Sequence, residues 1–114
     1  MGGSFETSDR ESIQHLRPLR VPSLKQGIYS RAKEMVADLD GWSLVSEDEA
    51  TGTLRCERKS RLLGGKARIT ITVEGPEGIP STTVSIRSET DGGLLSHDKV
   101  NVAEFMKPFH RRVC

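Results

Sequence analysis

The chain has 114 residues, an apolar fraction of 34%, an aromatic fraction of 4% and a net charge of +1. That length bounds it to one domain with a modest core. The near-neutral balance excludes a global attraction to nucleic acid or to an anionic membrane. No apolar run approaches the roughly 20 residues of a helical membrane span.

The first residues, MGGSFETSDRES, lack the basic-then-apolar order of a signal peptide. Glu6 stands where a myristoylation start wants Ser or Thr. A cytoplasmic location is therefore expected, with Cys56 and Cys114 as reduced thiols rather than a disulfide framework. Residues 1–14 are polar, mixed in charge and aperiodic, and read as a disordered tail ahead of a single domain over 15–114. Pro18 and Pro22 forbid a regular helix in HLRPLRVP, which reads as an extended lead-in or short edge strand.

Ser23 and Gln26 have the spacing of a capping box. Leu24, Ile28, Ala32, Met35, Val36 and Leu39 then follow at helical spacing, which predicts an amphipathic helix that ends at Asp40-Gly41. Met35 and Tyr29 read as core and rim. Trp42–Val45 is the first expected strand, followed by an acidic turn over Glu47 to Gly52.

Thr53–Leu63, Lys66–Glu74 and Thr82–Ser88 read as three further antiparallel strands. A tight Gly64–Gly65 turn would set Arg58 opposite Ile71, with Val84 and Ile86 opposite Val73 and Ile71. By parity Trp42 would lie opposite Cys56. One face is then apolar. The other carries Arg55, Glu57, Lys59, Arg61, Arg68, Thr70, Thr72, Glu74, Thr83, Ser85, Arg87 and Glu89, a pattern suited to a wet sheet face.

Asn101 and Glu104 form a second cap pair, opening a helix through Val102, Met106, Phe109 and Val113 that Pro108 should kink. The expected fold is α+β: a four-stranded antiparallel meander with an N-terminal and a C-terminal helix packed on one face.

Arg58 breaks the apolar pattern of its face, so it must pair with a carboxylate, reach an edge or contact a ligand; parity offers Asp40 as its partner. His97, Asp98 and Asn101 beside Arg87 are the cluster closest to acid–base chemistry, although no nucleophile accompanies them. His15, His97 and His110 match no metal spacing, so neither a metal nor a cofactor is expected. The basic residues of the polar face lack the aromatics on which single strands stack, which weakens a nucleic-acid reading. Cys56 faces the core and should be inert.

Gly41-Trp42, Ser60-Arg61-Leu62-Leu63-Gly64, Arg87-Ser88, Asp98 and Asn101 give the stretch from Leu24 to Val113 its family signal. In these pieces the chain resembles the bacterial and plastid domain of unknown function numbered 1499. It departs from that family at Ala67-Arg68, where the family has an acidic pair, and after Arg87-Ser88, where a second arginine is missing. The Asp-to-Asn spacing is also shorter. The resemblance implies an order of elements and no particular activity.

The function expected from the sequence is non-enzymatic: binding of a small ligand or of a protein partner. Arg58, Arg87, Ser88, Asp98 and Asn101 are the candidate contacts. The alternative is a small enzyme using His97, Asp98 and Asn101 beside Arg87, and electrostatic nucleic-acid binding is third. Leu63, Leu94 and Leu95 are candidates to seed a homodimer; otherwise a monomer is expected.

Overall fold

The computed structural model describes residues 3–59, 66–90 and 98–113. It is an α+β fold. Strands β1 (Gly3–Glu6) and β2 (Leu19–Val21) precede helix α1 (Lys25–Asp38). Strands β3 (Trp42–Asp48), β4 (Thr53–Lys59), β5 (Lys66–Glu74) and β6 (Thr82–Thr90) follow, then helix α2 (Asp98–Val113). The sheet is antiparallel with six strands in the order β1-β6-β5-β4-β3, β2 also pairing with β6.

The expected four-stranded meander is there as β3–β6, and two short strands enlarge it. Gly3–Glu6 is a strand where a disordered tail was expected: Gly3 pairs with Thr90 and Glu6 with Arg87. The Thr7 amide then donates to the Ile86 carbonyl, and the Ile86 amide donates to the Thr7 hydroxyl. Polar composition hid this segment, because a two-sided edge strand needs backbone partners more than an apolar stripe. Leu19–Val21, between its two prolines, is the short edge strand that the lead-in allowed.

Face parity is as the alternation predicts; register is as expected between β5 and β6 but not between β4 and β5. Val73 faces Val84 and Ile71 faces Ile86. Between β4 and β5, however, Arg58 pairs with Ala67, Cys56 with Ile69 and Leu54 with Ile71. A shift by an even number of residues keeps every side chain on its face, so burial does not distinguish the two registers. The Gly64–Gly65 turn on which the other register rests lies outside the described residues. Between β3 and β4, Trp42 pairs with Arg58 and Leu44 with Cys56, and the register then shifts between Leu44 and Ser46.

Both helices cover one face. Ile28, Ala32, Met35 and Val36 of α1, with Val102, Phe105, Met106 and Phe109 of α2, bury against Leu54, Ile69, Ile71, Val73, Val84 and Ile86. Phe105 stacks on Phe109 at 5.0 Å between ring centroids and lies 6.0 Å from Trp42. Burying such side chains contributes about 1.5–3 kcal/mol each before chain entropy. Cys56 is buried among them, and burial pushes its thiol pKa up to about 12.

Three helix-end expectations change. Ser23 makes no cap: α1 begins one residue later than the box requires, its N-cap position is Leu24 without a side-chain bond, and the Ser23 carbonyl instead accepts from the Thr82 hydroxyl at 2.7 Å. Leu24 is 51% exposed rather than part of the apolar stripe. In α2 the helix starts at Asp98, so Asn101 and Glu104 lie within it and are not a cap pair. Gly41 takes a positive φ of 83°, but α1 ends at Asp38 with an extended Leu39 as its C-cap. Gly41 therefore lies beyond the C′ position and serves the turn in which the Trp42 amide bonds the Leu39 carbonyl. No described helix is long and apolar enough to cross a membrane.

Candidate functional site

The structure separates the five residues that the sequence grouped. Ser88, Asp98 and Asn101 meet in the interior. The Ser88 hydroxyl donates to Asp98 Oδ1 at 2.7 Å, the Thr90 hydroxyl donates to the same oxygen at 2.8 Å, and Asn101 Nδ2 donates to Ser88 Oγ at 3.2 Å. Asp98 is 3% exposed and Ser88 fully buried. These bonds tie the first turn of α2 to β6. His97, the remaining member of the acid–base cluster, lies outside the described residues.

Arg87 is on the opposite face of the sheet. Its guanidinium bonds Glu89 at 2.9 Å and Glu6 at 3.5 Å. The same face pairs Lys66 with Glu57 at 3.1 Å and Arg68 with Glu89 at 3.7 Å. Its cations are thus interleaved with carboxylates, which reduces their pull on a phosphate backbone.

Arg58 is on the apolar face, as parity requires, but Asp40 is not its partner. Glu104 of α2 is: Arg58 Nε donates to Oε1 at 2.6 Å and an amino group donates to Oε2 at 3.2 Å. Trp42 Nε1 donates to the same Oε1 at 2.6 Å. Burial pushes the Glu104 pKa up, but the Arg58 and Trp42 hydrogen bonds outweigh it and hold the carboxyl below the usual glutamate value. The bond to Glu104 raises the Arg58 pKa. A residue of α2 supplies what Asp40, just ahead of β3, was expected to supply, because α2 covers that end of the sheet.

A cleft of about 670 Å³ opens at the start of α1, a place the sequence did not mark. Leu24, Lys25, Gln26 and Tyr29 of the helix form one wall. Glu49 and Ala50 of the β3–β4 turn and Glu77 and Gly78 of the β5–β6 turn form the others. The cleft's volume falls within the range of about 300–1,000 Å³ found for small-molecule sites. Both turns depend on glycine. Gly52 has φ 72° and its amide bonds the Glu49 carbonyl, while the Val73 amide bonds the Gly52 carbonyl at 2.7 Å, fastening the β3–β4 turn to β5. Gly78 has φ 74°.

Tyr29 is 5% exposed, and its hydroxyl is buried without a hydrogen-bond partner. Burial first, then the charge of Glu47, raises its pKa above the ordinary tyrosine value. Glu47 comes within range through the shift in β3. Before it, Leu44 shares the helix-facing side with Cys56; after it, Glu47 lies opposite inward-facing Leu54. Without that irregularity, alternation from Leu44 would send Glu47 to the outer face. Glu47 also bonds Lys33 of α1 at 2.9 Å. The signal in the sequence was slight: a tyrosine one turn into a helix, its ring leaning back toward the N-terminus.

His15 Nδ1 is the other buried side-chain atom without a partner among the described residues. Among those residues no group of three or more His, Cys, Asp or Glu is placed to hold a metal.

The crystal structure of Ara h 8.0201 superposes on the chain with a TM-score of 0.58 at 12% identity, covering 99% of this chain and 95% of that one. It is a likeness of fold. No protein-family model matches the chain, and no curated protein does.

Proposed function

We propose that this domain is a non-catalytic binding module that takes a small ligand in the cleft at the start of α1. The Tyr29 hydroxyl carries the proposal. A buried hydroxyl with no partner costs about 1–3 kcal/mol, and here it belongs to Tyr29, a residue that lines a cleft large enough for an organic molecule. A ligand that completes its hydrogen bonding accounts for both facts. Arg58, Ser88, Asp98 and Asn101 have a different part in this proposal. They bond one another or Glu104 and fix α2 on the sheet, so a ligand there would have to displace existing bonds. Kinship with domain family 1499 is proposed alongside, on the ground that its matching residues Ser88, Asp98 and Asn101 share one hydrogen-bonded set.

Thermal denaturation with a small-molecule library tests the proposal, since binding to the native state raises Tm by mass action. Tyr29→Phe should raise the Tm of the ligand-free protein, because it removes an unsatisfied hydroxyl, and should diminish the shift given by a true ligand. Ligand shifts of equal size in wild type and Tyr29→Phe would refute it.

A further inference from the structure

The cleft has polar groups of both signs that are not used on one another. Lys25, Glu49 and Glu77 line it, and none of their side chains makes an ion pair or hydrogen bond within the described residues. Lys25 stands at the first position of α1, whose N-cap residue, Leu24, offers no side-chain acceptor to the free amides of the first turn. Such amides and the positive end of the helix favour an anion. The carboxylates come from the two facing turns, one on each. Leu24, 51% exposed, and Ala50 add apolar surface to the same cleft.

Resting on the binding site proposed above, we infer that the ligand is a small zwitterion with an apolar substituent, of the α-amino-acid class. Its carboxylate sits at Lys25 and the uncapped turn of α1, its ammonium at Glu49 and Glu77, and its substituent on Leu24 and Ala50. Tyr29, its proton retained, donates to the ligand. An anion alone would leave two carboxylates unmatched beside it, and a cation alone would leave Lys25 unmatched. A zwitterion answers both. Helix N-termini are common and many hold nothing. The distinguishing feature here is Tyr29, one turn along the same helix, a residue that lines the same cleft and whose buried hydroxyl has no partner.

Calorimetric titration of the full chain with leucine, 3-methylbutylamine and 4-methylpentanoate tests the inference, because the three share one apolar group and differ in charge. Leucine should bind at least tenfold more tightly than either analogue. Lys25→Met, which keeps the stem packed toward Gly52, should bring leucine down to the affinity of the amine. Glu49→Gln with Glu77→Gln should bring it down to that of the acid. An analogue that binds as tightly as leucine overturns the inference, as does Lys25→Met leaving the ratio unchanged. If none of the three binds while other library compounds give shifts that depend on Tyr29, the zwitterion is overturned and the cleft stands. If no compound depends on Tyr29, both fall.

Discussion

Arg58 of β4 and Glu104 of α2 are joined by two hydrogen bonds, at 2.6 and 3.2 Å, and one of the two carboxylate oxygens also accepts from Trp42. The pair is partly exposed, with side-chain exposures of 25% and 32%. Its loss should therefore cost less than the 3–5 kcal/mol of a fully buried pair. Arg58→Met is expected to destabilise the domain by about 1–2 kcal/mol. In a cycle with Glu104→Gln, which keeps an oxygen for Trp42, urea unfolding should give a coupling of at least ~0.5 kcal/mol. Additive effects would mean that the two groups do not act together.

The same carboxylate predicts an acid-sensitive term. Its folded-state pKa lies below the ordinary value of 4.5. The unfolded chain then binds the proton more readily, so the stabilisation is complete above that value and disappears as pH falls through the folded one. Between pH 7 and pH 3 the urea midpoint of wild type should fall further than that of Glu104→Gln. Parallel falls would assign acid sensitivity to other carboxylates.

Two glycines with nearly the same φ should respond differently to a methyl group. A Cβ on Gly52 would lie 2.1 Å from the Val73 carbonyl oxygen, whereas one on Gly78 would meet nothing within 4 Å. Gly78→Ala should cost about 1 kcal/mol, the strain of a left-handed backbone. Gly52→Ala should cost more than ~3 kcal/mol, because the β3–β4 turn must leave β5. Equal Tm losses would contradict the fastening assigned to Gly52.

Asp98 separates an internal brace from a ligand contact. Asp98→Ala leaves the Ser88 and Thr90 hydroxyls without their acceptor and should cost about 2–3 kcal/mol. Asp98→Asn, which keeps an oxygen, should cost less. A variant of unchanged Tm that has lost a ligand-induced shift would instead place Asp98 in a binding site.

Alternation made the two sheet faces legible, and with them the inward placement of Arg58 and Cys56. Parity has no memory of register. Moving β4 along β5 by an even number of residues leaves Ile69 and Ile71 buried either way, so the partners of Arg58 were not legible. Glu104 was beyond reach for a different reason: a helix residue at cap spacing from Asn101 has a sufficient local explanation in the sequence. Ser88, Asp98 and Asn101 stood in the sequence among five candidate contacts, and the structure brings these three side chains together. Their partners turned out to be each other. The cleft was illegible because its walls come from three segments distant in sequence.

Strand β6 pairs with β1, β2 and β5. Everything from Gly3 to Val21 that belongs to the sheet therefore waits for Thr82–Thr90. A ribosome adding about 5–20 residues per second would leave the two N-terminal strands without their partner for several seconds after they emerge. The meander β3–β5 can close locally in that interval. Within the sheet the two N-terminal strands wait longest for a partner, and β1, with Phe5 as its one large apolar side chain, suits a segment that must stay in solution until then.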